Sequence, residues 1–269
     1  MLNSPYNERN FTKMRFDLHT HTNRYSSCAR ATPEKMMAGA IKQNLDGVVI
    51  TEHDVLWSKE EIQELREAFP QLIILRGIEV HTATGEDILV LGITEPSLFH
   101  RYMEDATLGE IIEEYQGAAI LAHPYRYRNT VSSESLHLPL CAVEIASSNI
   151  RQYMAEPTFR LIEKNKLRPI ASSDAHWPEN MGLYGVEFPY PVTNERQLAM
   201  AIRQGNSKMF MNEPRVKQIN TQLENEISLA RRLMSQGYST YEIRDLCGFS
   251  LSMLTALKAG QEVQLITIP

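Results

Sequence analysis

Five times along this chain a short apolar run ends in histidine or an acid. The segments are Phe16-Asp17-Leu18-His19-Thr20-His21, Val48-Val49-Ile50-Thr51-Glu52-His53-Asp54, Leu75-Arg76-Gly77-Ile78-Glu79, Ala119-Ile120-Leu121-Ala122-His123 and Ile170-Ala171-Ser172-Ser173-Asp174-Ala175-His176. Short apolar runs alternating with longer amphipathic stretches mark repeated βα units on a mostly parallel sheet. Side chains alternate across a strand, so His19 and His21 project to the same side. When parallel strands close into a barrel, their C-terminal ends open onto one face, where active sites form. Residues far apart in sequence then meet in one cup.

Strands are expected at residues 14–18, 47–51, 72–79, 88–93, 118–122, 142–146 and 169–173. Helices are expected at 33–44, 58–68, 107–116, 151–166 and 194–204. Thr32 reads as a helix cap with Pro33 in the first turn, and Thr107 with Glu110 has the spacing of a capping box. About seven strands alternating with helices fit an α/β barrel better than a short open sheet. The first 13 residues are polar and without period, an arm. The barrel occupies residues 14–214. Residues 215–269 hold three short amphipathic helices joined by Gly-containing turns, as in a helix-turn-helix, and then an apolar tail, Val263 to Ile268.

Bulk properties exclude several function classes. The net charge of −6 argues against wholesale electrostatic binding of nucleic acid. No apolar run approaches the ~20 residues of a spanning helix, and no positive-apolar-small leader opens the chain, so no membrane association is expected. Three scattered cysteines, Cys28, Cys141 and Cys247, without a CxxC spacing, suggest a reducing compartment. The expected location is cytoplasmic.

The candidate metal ligands are His19, His21, His53, Glu79, His123, Asp174 and His176. Nitrogen and carboxylate ligands without thiolates suit Zn, Mn or Fe. A carboxylate such as Glu79 can bridge two ions, and two ions about 3.5–4 Å apart can share a hydroxide and polarise a phosphoryl oxygen. Such a cluster points to phosphoester hydrolysis.

In this order the five segments resemble the motifs of the PHP (polymerase and histidinol phosphatase) family, over about residues 14–211. The resemblance implies a distorted (β/α)7 barrel holding two or three divalent transition-metal ions, and phosphoesterase activity. By the same resemblance His19, His21, Glu79 and Asp174 hold one ion, Glu79 and His123 a second, and His53 and His176 contribute to a third. Two segments depart from the family pattern. Many relatives carry His or Asp in the loop after the first motif, where this chain reads Tyr25-Ser26-Ser27-Cys28-Ala29. The third position is therefore weak, recruits Cys28 or is absent. Asp87 stands where relatives often have His at a strand start, and is included as a ligand.

Asp174, His176 and His53 are expected to carry catalysis, in which a metal-bridging hydroxide attacks phosphorus and a water or histidine protonates the leaving oxygen. Arg126 and Arg128 follow His123-Pro124-Tyr125 and could clamp a phosphate, and His81 is a conceivable substrate contact. Asp17, Glu52 and Asp54 flank ligands and are expected to orient imidazoles. The expected substrate is a small phosphorylated metabolite or nucleotide. The alternatives are a nuclease guided to nucleic acid by the C-terminal helices, or a DNA-binding regulator. In a helix-turn-helix, Ser250, Ser252, Met253 and Thr255 would face base edges. Residues 215–269, however, carry six bases against five acids, well short of the usual electrostatic footprint.

Overall fold

A computed structural model describes residues 13–268. The expected arm lies outside these residues except for Lys13. One nine-stranded sheet dominates: β1 (Met14–Thr20), β2 (Gly47–Ile50), β3 (Ile73–His81), β4 (Asp87–Leu91), β5 (Ala118–Leu121), β6 (Leu140–Ala146), β7 (Arg168–Ala171), β8 (Tyr184–Phe188) and β9 (Lys208–Met211). Its spatial order is β7-β6-β5-β4-β3-β2-β1-β8-β9. Strands β1, β2, β3, β5, β6 and β7 run in one direction, while β4 runs against both of its neighbours. The sheet curls until β1 meets the chain just past β7. There Thr20 bridges Ala175, with His21 N donating to Ala175 O (2.9 Å) and Ala175 N to His19 O (3.1 Å). The result is a nearly closed, distorted barrel.

Strands β8 and β9 were not among the expected elements. They form an antiparallel ribbon on the outer side of β1. At Gly185 the ribbon lies so close to β1 that a Cβ would stand 2.3 Å from Phe16 O.

The helices are α1 (Pro33–Lys42), α2 (Lys59–Ala68), α3 (Asp105–Glu114), α4 (Gln152–Asn165), α5 (Glu195–Gln204), α6 (Glu213–Ser235), α7 (Thr240–Cys247) and α8 (Leu251–Lys258). One side of the barrel wall, including Phe16, Leu18, Val49, Leu75, Leu89, Ile120 and Ile170, packs with Leu198 and Ile202 of α5. The opposite faces of β2 and β3 pack on α1 and α2 through Val48, Ile50, Ile74, Met36, Met37 and Ile62. Fully burying each such side chain is worth about 1.5–3 kcal/mol.

One capping expectation needs correction. Helix α3 begins at Asp105, so Thr107 lies inside it and the capping box is not formed. Thr32 is the N-cap of α1 with Pro33 in the first turn, as expected, although its side chain makes no capping hydrogen bond.

Helix α6 starts 14 residues before the apolar stretch at Ile227 that signalled it, and α7 and α8 pack against it around Ile227, Ala230, Ile243, Leu254 and Leu257. Met253 belongs to this core, 9% exposed, and so cannot face a base edge. Ser250 Oγ caps α8 by accepting from Met253 N (3.2 Å). The tail returns to the barrel: Gln152 N donates to Gln264 O (2.8 Å) and Tyr184 Oη to Ile266 O (2.6 Å). No helix among the described residues is long and apolar enough to cross a membrane.

Candidate metal centre

The parallel strands all end at one mouth. His19 lies near the end of β1 and His21 just beyond it, His53 follows β2, Glu79 lies near the end of β3, His123 follows β5, and Asp174 and His176 follow β7. Because β4 is reversed, its first residue, Asp87, arrives at the same mouth.

Glu79 and Asp174 are the hubs, and both are fully buried. Glu79 Oε2 lies 3.3 Å from His19 Nε2, 3.2 Å from His21 Nε2 and 2.7 Å from His53 Nδ1. Its other oxygen, Oε1, is 2.9 Å from His123 Nε2. Asp174 Oδ1 lies 3.4 Å from His19 Nε2 and 3.3 Å from His21 Nε2, and Arg126 donates to Asp174 Oδ2 at 3.2 Å. Three sets of ligand atoms each cluster within 4.8 Å: His19, His21 and Asp174; His19, Glu79 and His123; and His21, His53 and His176. The structure therefore brings together seven of the eight expected ligands. Asp87 sits at the edge, with Oδ1 taken by His81 Nδ1 (2.6 Å) and Oδ2 3.9 Å from His123.

The chemistry of this set fits divalent cations. His19 Nε2, His21 Nε2, Glu79 Oε2 and Asp174 Oδ1 are buried and find no hydrogen-bond partner. Burying polar atoms unpaired costs roughly 1–3 kcal/mol each, so four converging on one point mark a cradle for a charge they can share. The far side of each ring is already committed. His19 Nδ1 faces Glu144 Oε1 (3.1 Å). Ser26 Oγ donates to Glu52 Oε2 (2.5 Å), which leaves it to accept from His21 Nδ1 (3.3 Å). Both rings thus carry the proton on Nδ1 and aim the Nε2 lone pair inward, the arrangement a metal-ligating histidine requires. His176 Nδ1 donates to Asp174 O (3.0 Å) and reaches the same tautomer.

Electrostatics follow from this packing. Burial raises the Glu79 and Asp174 carboxyls, but the surrounding imidazoles overcome it and hold both well below the usual carboxylate range. Burial lowers His53, yet the neighbouring Cys28 thiol and the Glu79 carboxylate, 2.7 Å from its Nδ1, lift it to about 11. His123 and Asp174 have φ of 23° and 49°, left-handed backbone that non-glycine residues rarely adopt and that concentrates at functional sites.

Several contributors escaped the sequence reading. Glu144 lies inside β6, accepting from His19 and from His123 N (3.0 Å). A charge in the middle of an apolar strand was the available signal. Asn149 Nδ2 donates to Asp174 Oδ2 (2.5 Å) and had no signal. Of the flanking acids, Glu52 acts on His21 through Ser26. Asp17 and Asp54 instead hold backbone: Asp17 accepts from Ser173 N and Gly182 N (both 2.9 Å), and Asp54 from His81 N (2.8 Å). Arg126 reaches into the cup. Arg128 turns away to the Thr84 carbonyl on the β3–β4 hairpin.

Comparison with known proteins agrees with this architecture. The model of the PHP domain family matches residues 17–181, and that of a PHP-associated family matches residues 158–207. No curated protein matches the chain. Among solved structures, a two-domain protein from Bacteroides vulgatus containing a predicted PHP-like metal-dependent phosphoesterase aligns with a TM-score of 0.58 at 14% identity, over 75% of this chain and 66% of that one. PsfC from Pseudomonas syringae aligns at 0.54 and 16%, over 74% and 92%. An amidohydrolase from Chromobacterium violaceum, with bound sulfate, aligns at 0.52 and 15%, over 72% and 97%. At these identities the likeness is one of fold.

Proposed function

Because this chain belongs to the PHP domain family, we propose that it is a metal-dependent phosphoesterase hydrolysing a phosphomonoester, a small phosphorylated metabolite or a nucleotide. The observation that carries this reading is the set of four unpartnered, buried ligand atoms on His19, His21, Glu79 and Asp174. These four residues would hold one ion, Glu79 with His123 a second, and His53 with His176 would serve a third. When bound, such ions lower the pKa of water and offset charge building on the phosphoryl oxygens.

The protein's own groups have separate tasks. Glu144 and the Ser26–Glu52 pair fix the tautomers that keep imidazole lone pairs inward. Arg126, 24% exposed at the lip and already bonded to Asp174, is placed to take a phosphate oxygen as a planar donor. His53 and His176 stand at the open side, where a proton can pass to the leaving oxygen. The C-terminal helices, with nearly balanced charge and Met253 buried, favour this reading over one guided by nucleic acid. The three cysteines are unpaired, which supports a cytoplasmic location.

Incubation with Mn²⁺ should turn over p-nitrophenyl phosphate and spare its bis(p-nitrophenyl) diester. Diester turnover alone would reassign the substrate, and no turnover with any divalent ion would end the proposal. Asp174→Ala should abolish the activity and lower the metal content. Full activity in that variant would contradict the scheme.

A further inference from the structure

We propose that Arg128 is a positioning residue for phosphate capture: by gripping the β3–β4 hairpin it holds the loop after β5 so that Arg126 faces the cup. The role rests on reading the cup as a phosphoesterase centre, and gives a task to a side chain that the centre itself does not contain.

The loop leaves the cup abruptly. His123 and Tyr125, on either side of Pro124, both take left-handed backbone, with φ of 23° and 66°. Arg126 N then donates to His123 O (3.3 Å), and Arg126 Nη1 reaches Asp174 Oδ2 (3.2 Å). Beyond that point little holds the chain. Among the hydrogen bonds of the described residues, a single one ties residues 127–131 to the rest of the molecule, from Arg128 Nη1 to Thr84 O. The turn of the hairpin is shaped for this grip. Gly85 has φ of 82°, and a Cβ there would stand 2.9 Å from Arg128 Cζ and closer still to Nη2. The glycine leaves the berth that the guanidinium fills. The same turn secures the far end of the loop: Ser132 N donates to Glu86 Oε1 (3.1 Å), and the hydroxyls of Thr84 and Ser135 meet at 2.9 Å. Asp87, next along the hairpin, stands at the mouth, so one turn fixes both the rim and the loop. With its guanidinium spent on a backbone carbonyl, Arg128 acts on a phosphate only through the placement of Arg126, two residues before it.

The test is steady-state hydrolysis of p-nitrophenyl phosphate by the Mn²⁺-loaded full chain. Arg128→Ala should raise KM about 3- to 10-fold, the effect of losing one hydrogen bond. Its kcat should stay unchanged, because the binding lost is shared by ground and transition states. Arg128→Lys, which keeps a donor, should recover part of the loss. Gly85→Ala retains the Arg128 charge but pushes the flexible guanidinium off the turn, so it should raise KM likewise. A direct contact or a long-range pull of Arg128 on the substrate would spare Gly85→Ala. In an Arg126→Ala background neither change should raise KM further. Chymotrypsin gives a readout independent of turnover: cleavage after Tyr127, 68% exposed, should quicken in Gly85→Ala as the loop comes free. An unchanged KM in Arg128→Ala, a rise that Gly85→Ala does not share, or a further rise in the Arg126→Ala background would overturn the proposal and leave the phosphoesterase standing. No turnover of any phosphomonoester by the wild type would end the phosphoesterase reading instead. Cleavage at Tyr127 would then decide the grip alone, and an unchanged rate in Gly85→Ala would overturn it too.

Discussion

At the scale of residues, the centre depends on partners one step removed from the cup. Glu144 receives a bond from His19, one from His123 N and one from Ser172 Oγ. Glu144→Gln keeps the shape but weakens the hold on the His19 tautomer. Metal affinity should fall about 10- to 100-fold by competition with a chelator, with the fold intact by circular dichroism. Protons and ions also compete for these groups. Without metal, the raised pKa of His53 leaves it protonated at neutral pH. Its stabilising pairing with Glu79 is complete below the ordinary histidine value of 6.5 and is lost as pH climbs through about 11. The Glu79 side of the pairing is complete above its ordinary 4.5 and is lost as pH falls well below that. Loading must expel the protons, so calorimetric titration with Mn²⁺ near pH 7 should show proton release between buffers of different ionisation enthalpy, and affinity that rises with pH.

At the scale of elements, the close approach of β8 to β1 is the least forgiving contact. In Gly185→Ala the new Cβ meets a backbone oxygen, which cannot swing aside as a side chain can. Thermal unfolding should register a loss of about 1–3 kcal/mol or more. The strands that end in ligands were legible because each combined an apolar run with a chemical terminus. Strands β8 and β9 had no such terminus, and β9 is only four residues long. The start of α6 was hidden because its first three turns present mostly polar side chains, with Val216 the single buried residue before Ile227. Thr107 misled because its spacing to Glu110 satisfies a local rule, whereas the chain had already turned helical at Asp105. Local patterns of three or four residues do not report where tertiary packing starts a helix. Glu144, likewise, required knowledge that β6 passes behind His19, which no local spacing encodes.

At the scale of the molecule, the barrel is closed at one seam. β1 and the segment after β7 join there through the Thr20–Ala175 bridge and the two bonds Asp17 accepts from Ser173 and Gly182. The ligands of the centre lie on both sides of that line, His19 and His21 on one and Asp174 and His176 on the other. Chelation of the metal should therefore speed amide hydrogen exchange most at His21 and Ala175, with β2 and β3 little changed. A uniform increase across all strands would contradict this. Any cation lodged between those banks acts as a clasp on the cylinder as well as a reagent. Starving the protein of transition metal would then cost it mechanical integrity along a single line, and proteases would find their first foothold beside the imidazoles instead of in the outer helices.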